Sequence, residues 1–191
     1  MKIYLASSSP RRREILENLG VKFEIIRTDA DESSDIKDPG ALTELLSKRK
    51  AEAAQKIKSD GLIIACDTVV ALDGEILGKP TDKADAERMI RGLSGKKHSV
   101  VSGICLLCGE KCVTAHETTY VEFAKMSESE IEKCVSKGEP MDKAGAYAVQ
   151  GTASLFIKGL VGDYFNVVGL PVHLLYKTAK ENFGIDITAE L

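Results

Sequence analysis

The chain has 191 residues, of which 43% are hydrophobic and 29% are charged, and its formal net charge is -3 at pH 7. This size and composition are typical of a globular protein with one well-packed core and argue against intrinsic disorder. The slightly acidic balance argues against a general nucleic-acid binder, so any basic cluster is expected to be local and directed at a small anion.

The sequence also disfavours a membrane-spanning or secreted protein and a protein with a structural zinc site. No apolar run approaches the roughly 18 residues of a membrane span, and the start of the chain lacks the regions of a secretory signal, so we expect a cytoplasmic protein with no membrane partner. The five cysteines, an odd number, fit reduced thiols. Cys105, Cys108 and Cys112 fall in a predicted hairpin, where residues three apart point to opposite faces and no fourth ligand is near, so we predict no structural zinc.

Strand-like and helix-like segments alternate through the first part of the chain, which predicts an α/β protein. The predicted elements are a strand at 2–6, a helix at 10–19, a strand at 22–27, a helix at 40–58 and a strand at 62–72. After a turn at 73–74 come a helix at 82–92, a hairpin of 99–107 and 111–123, a helix at 127–137, a glycine-rich segment at 138–151, a strand at 153–158 and a helix at 170–183. The hairpin makes the predicted sheet mixed, and the absence of a linker predicts a single domain over residues 1–191.

The junction of the first strand and helix has the composition of an anion site. It reads Ser7-Ser8-Ser9-Pro10-Arg11-Arg12-Arg13. We expect Ser9 to cap the helix and Pro10 to take its first position, so that free N–H groups lie beside guanidinium groups. The alternative is an ordinary helix cap with solvated arginines.

Asp67 interrupts an otherwise apolar strand, Gly61–Leu72. Burial of an unpaired charge is unfavourable, so this carboxylate requires a partner, a metal ion or a raised pKa. Next to Thr68, it is a candidate metal ligand or general base. The alternative is a structural aspartate bonded to backbone N–H groups or to an arginine.

Lys50 lies on a predicted apolar stripe of the second helix, which indicates that it faces inward. The stripe consists of Leu42, Leu45, Leu46, Ala53 and Ile57. The alternative is snorkelling, in which the stem covers apolar surface and the ammonium group reaches water. Lys48 and Arg49 are expected to be solvated.

Further charges lie on predicted loops. Asp29, Asp31 and Glu32 form an acidic cluster suited to Mg²⁺, although such loops are often simply solvated. Lys79 and Lys143 lie on later loops. The sequence has no Walker loop and no Gly-x-Ser-x-Gly nucleophile motif, so cations together with carboxylates favour metal-assisted hydrolysis of a polyphosphate.

These segments resemble, in order and over nearly the whole chain, the Maf family of nucleoside triphosphate pyrophosphatases. The segments that carry the resemblance are Ser7–Arg12, Asp29–Glu32, Lys50-Ala51, Cys66–Val70, Gly78-Lys79-Pro80, Leu93-Ser94-Gly95 with His98, Gly138–Gly151 and Gly162–Pro171. The resemblance implies an elongated mixed sheet flanked by helices, in two lobes with a central cleft, similar to the inosine triphosphate pyrophosphatases. It also implies a divalent metal, Mg²⁺ or Mn²⁺, release of pyrophosphate and a homodimer.

The resemblance also implies roles for individual residues. Asp67 corresponds to the proton acceptor and, with Glu32, to a metal-binding position. Lys50 and Lys79 correspond to catalytic basic residues. The positions implied to bind substrate are Ser7, Arg11, Arg12, Thr68, Lys143 and Gln150.

Two features resemble the branch of the family that acts on dTTP and UTP. They are the Ser-Pro-Arg-Arg turn and Gln150, whose amide offers a donor and an acceptor to a pyrimidine edge. We therefore expect a metal-dependent pyrophosphatase in which Asp67 helps to deprotonate the attacking water. The competing hypothesis is a regulatory nucleotide-binding protein linked to cell division, without significant turnover.

Overall fold

A mixed sheet of seven strands organises the fold within residues 1–136 and 139–188, which are the residues that this computed structural model describes. The strands are β1 (Lys2–Ala6), β2 (Glu24–Ile25), β3 (Gly61–Leu72), β4 (Glu75–Leu77), β5 (Lys97–Cys108), β6 (Lys111–Phe123) and β7 (Ile157–Val161). Their order is β2-β1-β3-β5-β6-β7, with β4 paired to β3. The pairs of β1 with β2 and β3 are parallel, whereas β3 with β4 and β6 with β7 are antiparallel. The predicted mixed α/β class is thus confirmed.

Helices connect and cover the strands. They are α1 (Pro10–Asn18), α2 (Pro39–Gln55), α3 (Lys83–Leu93), α4 (Glu128–Ser136), α5 (Tyr164–Val168) and α6 (Val172–Phe183), with short 3-10 helices at Glu139–Asp142, Ala144–Ala146 and Thr152–Phe156. Gly138, in the predicted glycine-rich segment, lies outside the described residues. No helix in the described ranges is long and apolar enough to cross a membrane.

The described chain divides into two compact units. The first contains residues 1–67, 102–117 and 169–188, and the second contains residues 68–101, 118–136 and 139–168. The central cleft implied by the resemblance stays a prediction.

In the first unit, α2 packs on the sheet through small residues. Its buried positions include Thr43, Ser47, Ala51 and Ala54. A Cβ atom at Gly103 of β5 would lie 2.3 Å from the backbone carbon of Thr43, so helix and strand approach closely because Gly103 has no side chain. The predicted stripe was wrong in phase: of its five residues only Leu46 is buried.

In the second unit, α3 and α4 enclose the core with the ends of the long strands. Buried members include Val70, Ile90, Phe123, Ile131 and Tyr147. The predicted strand at 153–158 was wrong: residues 152–156 form a 3-10 helix, and β7 follows it. The predicted final helix at 170–183 begins at Val172, after the short separate helix α5.

Candidate active site

Asp67 and Lys50 form a close ion pair in the first unit. Alternate residues of β3 share a face, and Ile63 and Ala65 belong to the same buried cluster as Ala51 and Ala54 of α2. Asp67 continues this row of β3 side chains. Lys50 Nζ donates a hydrogen bond to Asp67 Oδ1 at 2.5 Å, and the two side chains are only 15% and 13% exposed. The partner required for the strand carboxylate is therefore a lysine on the neighbouring helix.

Glu32 shares the same lysine. Its Oε1 lies 2.9 Å from Lys50 Nζ, while its side chain is 59% exposed. Two carboxylates, one enclosed and one open to solvent, thus converge on a single ammonium group. Its ion pairs with Asp67 and Glu32 place the Lys50 head group within the site, as the inward-facing interpretation requires.

The loop that carries Glu32 is held by Arg49, a residue that the sequence analysis expected to be solvated. Arg49 Nη1 donates to the carbonyl oxygens of Asp31 and Ser33 at 3.1 and 2.7 Å. The Asp31 carboxylate accepts bonds from the hydroxyl and N–H of Ser33, which lower its pKa. Arg49 therefore fixes the loop, and Lys50, the next residue of α2, contacts Glu32 of the same loop. No spacing rule in the sequence indicates the contact of Arg49 with the loop.

Arg12 ties the serine-arginine turn to a distant part of the chain. Its Nε donates to the Gly169 carbonyl oxygen at 2.8 Å, and its Nη1 donates to Ser7 Oγ at 3.3 Å. Ser9 occupies the cap position of α1, as predicted, but its side chain makes no capping bond, and its N–H donates instead to Ser7 Oγ at 3.2 Å. Arg11 is partly buried.

Arg13 differs from its neighbours because it is exposed and pairs with Glu17 at 2.8 Å. The solvated interpretation of the arginine run thus fits Arg13, whereas Arg12 has a defined structural contact.

The second unit contains the other predicted site residues. Thr68 is partly buried in β3, whereas Lys79 and Gln150 are exposed. Lys143 has a side chain that is only 14% exposed and pairs with Asp142 Oδ1 at 2.6 Å. The predicted residues are therefore divided, with Ser7, Arg11, Arg12, Glu32, Lys50 and Asp67 in the first unit.

A backbone hydrogen bond joins the loop that carries Lys79 to the loop that carries Lys143. The N–H of Gly145 donates to the carbonyl oxygen of Gly78 at 3.0 Å. The segments that carry Lys79 and Lys143 are thus adjacent in space.

Two carboxylates are available to a metal ion in the first unit. No group of three or more His, Cys, Asp or Glu side chains suited to a metal ion occurs in the described ranges. Mg²⁺ is usually bound by one or two carboxylates with water and substrate phosphates, so Asp67 and Glu32, which already converge on one cation, fit such an ion. Their oxygen ligands also suit Mn²⁺.

The fold and site define a mixed α/β protein with a charge-paired carboxylate on an inner strand. The family described as Maf-like protein matches residues 2–182, and the chain belongs to this family. The predicted family is thereby confirmed.

Named relatives cover most of the chain. A dTTP/UTP pyrophosphatase of Symbiobacterium thermophilum is 46% identical over 90% of this chain and 89% of that protein. Proteins of the same name from Bacillus anthracis and Desulforamulus reducens are 43% and 46% identical, covering 98% and 97% of this chain and 98% of each relative. Among solved structures, the Staphylococcus aureus Ham1 protein aligns with a TM-score of 0.49 and 17% identity over 65% of this chain and 72% of that one.

Proposed function

We propose that this protein is a nucleoside triphosphate pyrophosphatase that hydrolyses dTTP and UTP, together with modified forms of these nucleotides, to the monophosphate and pyrophosphate. The observation that carries the proposal is the contact of Asp67 and Glu32 with the same Lys50 ammonium group. Membership of the Maf family and the names of the relatives support the same activity.

A divalent cation, Mg²⁺ or Mn²⁺, is proposed as the cofactor. Asp67 and Glu32 are the residues that would hold it, together with phosphate oxygens of the substrate. When bound, such an ion neutralises charge on the phosphate oxygens and favours an incoming hydroxide.

Asp67 is proposed as the general base of the reaction. Its carboxylate is largely enclosed and oriented by Lys50, so that one oxygen is fixed by the ammonium group. A carboxylate held in this way can accept the proton of a water molecule that attacks phosphorus. Lys50 then remains beside the phosphate oxygens and stabilises the charge that develops on them.

Basic residues on loops are proposed to bind the triphosphate. A triphosphate carries about four negative charges, which require cations and charge-assisted hydrogen bonds. Arg12, Lys79 and Lys143 supply these cations, and Ser7 and Arg11 also contribute to binding. Lys79 is assigned to the catalytic group because a cation on phosphate stabilises the transition state as well as the bound substrate.

Gln150 and Thr68 are proposed to select the base. The exposed Gln150 amide can donate to a carbonyl and accept from the ring N–H of thymine or uracil. The Thr68 hydroxyl can likewise donate and accept.

The proposal extends to a homodimer, as the family resemblance implies, and to a location in the cytoplasm, as the sequence analysis expects. Light scattering at several protein concentrations gives the oligomeric state. Fractionation of the source cells gives the location.

The deciding experiment is a nucleotide panel with product identification. The purified protein is incubated with dTTP, UTP, dCTP, ATP and GTP in the presence of Mg²⁺, and the products are separated by anion-exchange chromatography. We expect monophosphate and pyrophosphate from dTTP and UTP. Diphosphate with phosphate would contradict the proposed cleavage position, and tight binding without turnover would favour the regulatory hypothesis.

A further inference from the structure

A buried cluster of three rings includes Tyr147, four residues after Lys143. His98 of β5, Phe123 of β6 and Tyr147 contact one another edge to face, with ring centroids 5.0 to 5.3 Å apart. His98 is only 2% exposed and Tyr147 only 7%. The cluster belongs to the core of the second unit.

His98 and Tyr147 are also joined by a polar contact. His98 Nε2 lies 2.7 Å from the Tyr147 hydroxyl, and either group can donate, depending on the imidazole tautomer. Burial lowers the pKa of His98 to about 4 and raises that of Tyr147, so both groups are neutral near pH 7. His98 Nδ1 is buried and has no hydrogen-bond partner among the described residues. The bond to Tyr147 is thus the polar contact that sets the orientation of the imidazole.

The segment just before Tyr147 has a strained backbone. Gly145 has φ = 67° and Ala146 has φ = 60°. The left-handed region is unfavourable for a residue with a Cβ atom, so Ala146 is held there by its surroundings. Contacts on both sides do this, because Gly145 packs against Val70 and its N–H is bonded to Gly78, while Tyr147 is anchored on His98.

Lys143 begins this strained turn. Its carbonyl oxygen accepts the N–H of Ala146 at 3.1 Å, so the position of its backbone depends on the turn. The Gly78 carbonyl, which the turn also engages, precedes Lys79 directly. A single anchored segment therefore controls the placement of two lysines.

We propose that the His98–Tyr147 hydrogen bond positions the turn of residues 143–147 so that Lys143, and through Gly78 also Lys79, binds the phosphates of the nucleotide. His98 and Tyr147 are positioning residues that do not touch the substrate. The inference rests on the proposed function, because it takes these lysines to bind the triphosphate.

The test removes the hydrogen bond and retains the rings. Tyr147→Phe deletes one hydroxyl group from the cluster, and Tyr120→Phe, at a 46% exposed tyrosine of the same unit, is the matched control. The readouts are KM and kcat for UTP and the Kd of α,β-methylene-UTP, a non-hydrolysable analogue. We expect Tyr147→Phe to raise KM and Kd by about tenfold with a smaller change in kcat, and Tyr120→Phe to change them less than about twofold.

A double-mutant cycle with Lys143→Ala separates positioning from general stability. If the hydroxyl acts through Lys143, Tyr147→Phe weakens analogue binding much less in the Lys143→Ala background than in the wild type. A purely structural role lowers Tm and the active fraction but leaves the Kd of the folded fraction unchanged. His98→Phe, which removes the other partner of the same bond, is expected to raise Kd by a similar factor.

Several results would overturn the inference. One is a Kd for Tyr147→Phe within twofold of the wild-type value. Another is that Tyr147→Phe raises the Kd by the same factor in the wild type and in the Lys143→Ala background. If the wild type binds the analogue but hydrolyses no nucleotide, the proposed activity fails while the Kd cycle still decides the positioning role. If the wild type binds no nucleotide at all, both proposals are overturned.

Discussion

Lys50 Nζ and Asp67 Oδ1 lie 2.5 Å apart, although the residues are separated by 17 positions and belong to a helix and a strand. The pair is largely enclosed, and Glu32 reaches the same ammonium group from an exposed loop. The site therefore combines a fixed carboxylate with one that solvent can reach.

Replacement of Asp67 tests the general base. Asp67→Asn keeps the side-chain size but removes the proton acceptor, so turnover should fall by about a hundredfold to ten-thousandfold, with a smaller change in nucleotide affinity. Pyrophosphate release measures turnover, and Asp73→Asn, at an exposed residue paired with Lys96, serves as the control. Full activity of Asp67→Asn would exclude the assignment.

Replacement of Glu32 tests the metal site. The Glu32 carboxylate is 59% exposed, and Lys50 keeps its bond to Asp67 when Glu32 is replaced, so Glu32→Gln should change the free energy of unfolding by less than about 1 kcal/mol. Loss of a metal ligand should nevertheless raise the Mg²⁺ concentration that gives half-maximal activity. The expected increase is about tenfold or more, because replacing even the groups that support metal ligands weakens metal binding by about 10- to 100-fold. Asp73→Asn, at the exposed residue that pairs with Lys96, is again the control. An unchanged Mg²⁺ titration for Glu32→Gln removes Glu32 from the metal site.

Long periodic segments of the sequence predicted the fold well. The strands at 61–72 and 111–123 and the helices at 39–55 and 83–93 lie within a few residues of their expected bounds. The segment at 153–156 was misassigned because a short, mostly apolar segment does not distinguish a strand from a helix.

The prediction of the buried face of α2 failed for a different reason. Close approach of the strand backbone at Gly103 selects small and polar residues such as Thr43 and Ser47 for the buried side, where a leucine stripe was expected. Tertiary packing thus overrode the pattern.

Part of the candidate site was accessible from the sequence. An aspartate in an apolar strand must have a partner, and this argument found Asp67. The contact of Arg49 with backbone carbonyls at residues 31 and 33 has no sequence pattern, because backbone acceptors are present at every position. The sequence likewise contains no local signal for the contact of His98 with Tyr147, since the two residues are 49 positions apart.

Close packing at Gly103 makes a prediction about stability. A Cβ atom there would lie within 2.6 Å of three backbone atoms of α2, which cannot move independently. Gly103→Ala should therefore lower the free energy of unfolding by about 1–3 kcal/mol or more, and displace the helix that carries Lys50. Gly159→Ala, where no atom lies within 4 Å, should have little effect. Chemical denaturation measures both, and equal stability of the two variants would contradict the close approach.

Burial of His98 makes the stability depend on pH. Desolvation lowers its pKa from 6.5 to about 4. Between pH 6.5 and 4, His98 therefore binds a proton in the unfolded chain but stays neutral in the folded chain. The contribution of His98 is complete above about pH 6.5 and is lost as the pH falls toward 4. We expect the free energy of unfolding to fall by about 2 kcal/mol between pH 7.5 and 5 from this residue.

The control for this dependence is His98→Phe, because other groups also titrate in acid. Denaturation curves at both pH values give the difference between wild type and variant. A slope that is the same in both proteins would show that His98 does not carry the effect.

The register of β1 and β3 limits how this protein can change in length. Ala6 is paired with Ala65, and Asp67 continues the row of β3 side chains that packs with α2. Since side chains alternate along a strand, insertion or deletion of one residue between positions 62 and 66 would turn Asp67 to the opposite face. A single-codon indel within this part of β3 would therefore separate the carboxylate from Lys50, even if every inserted or deleted residue were aliphatic.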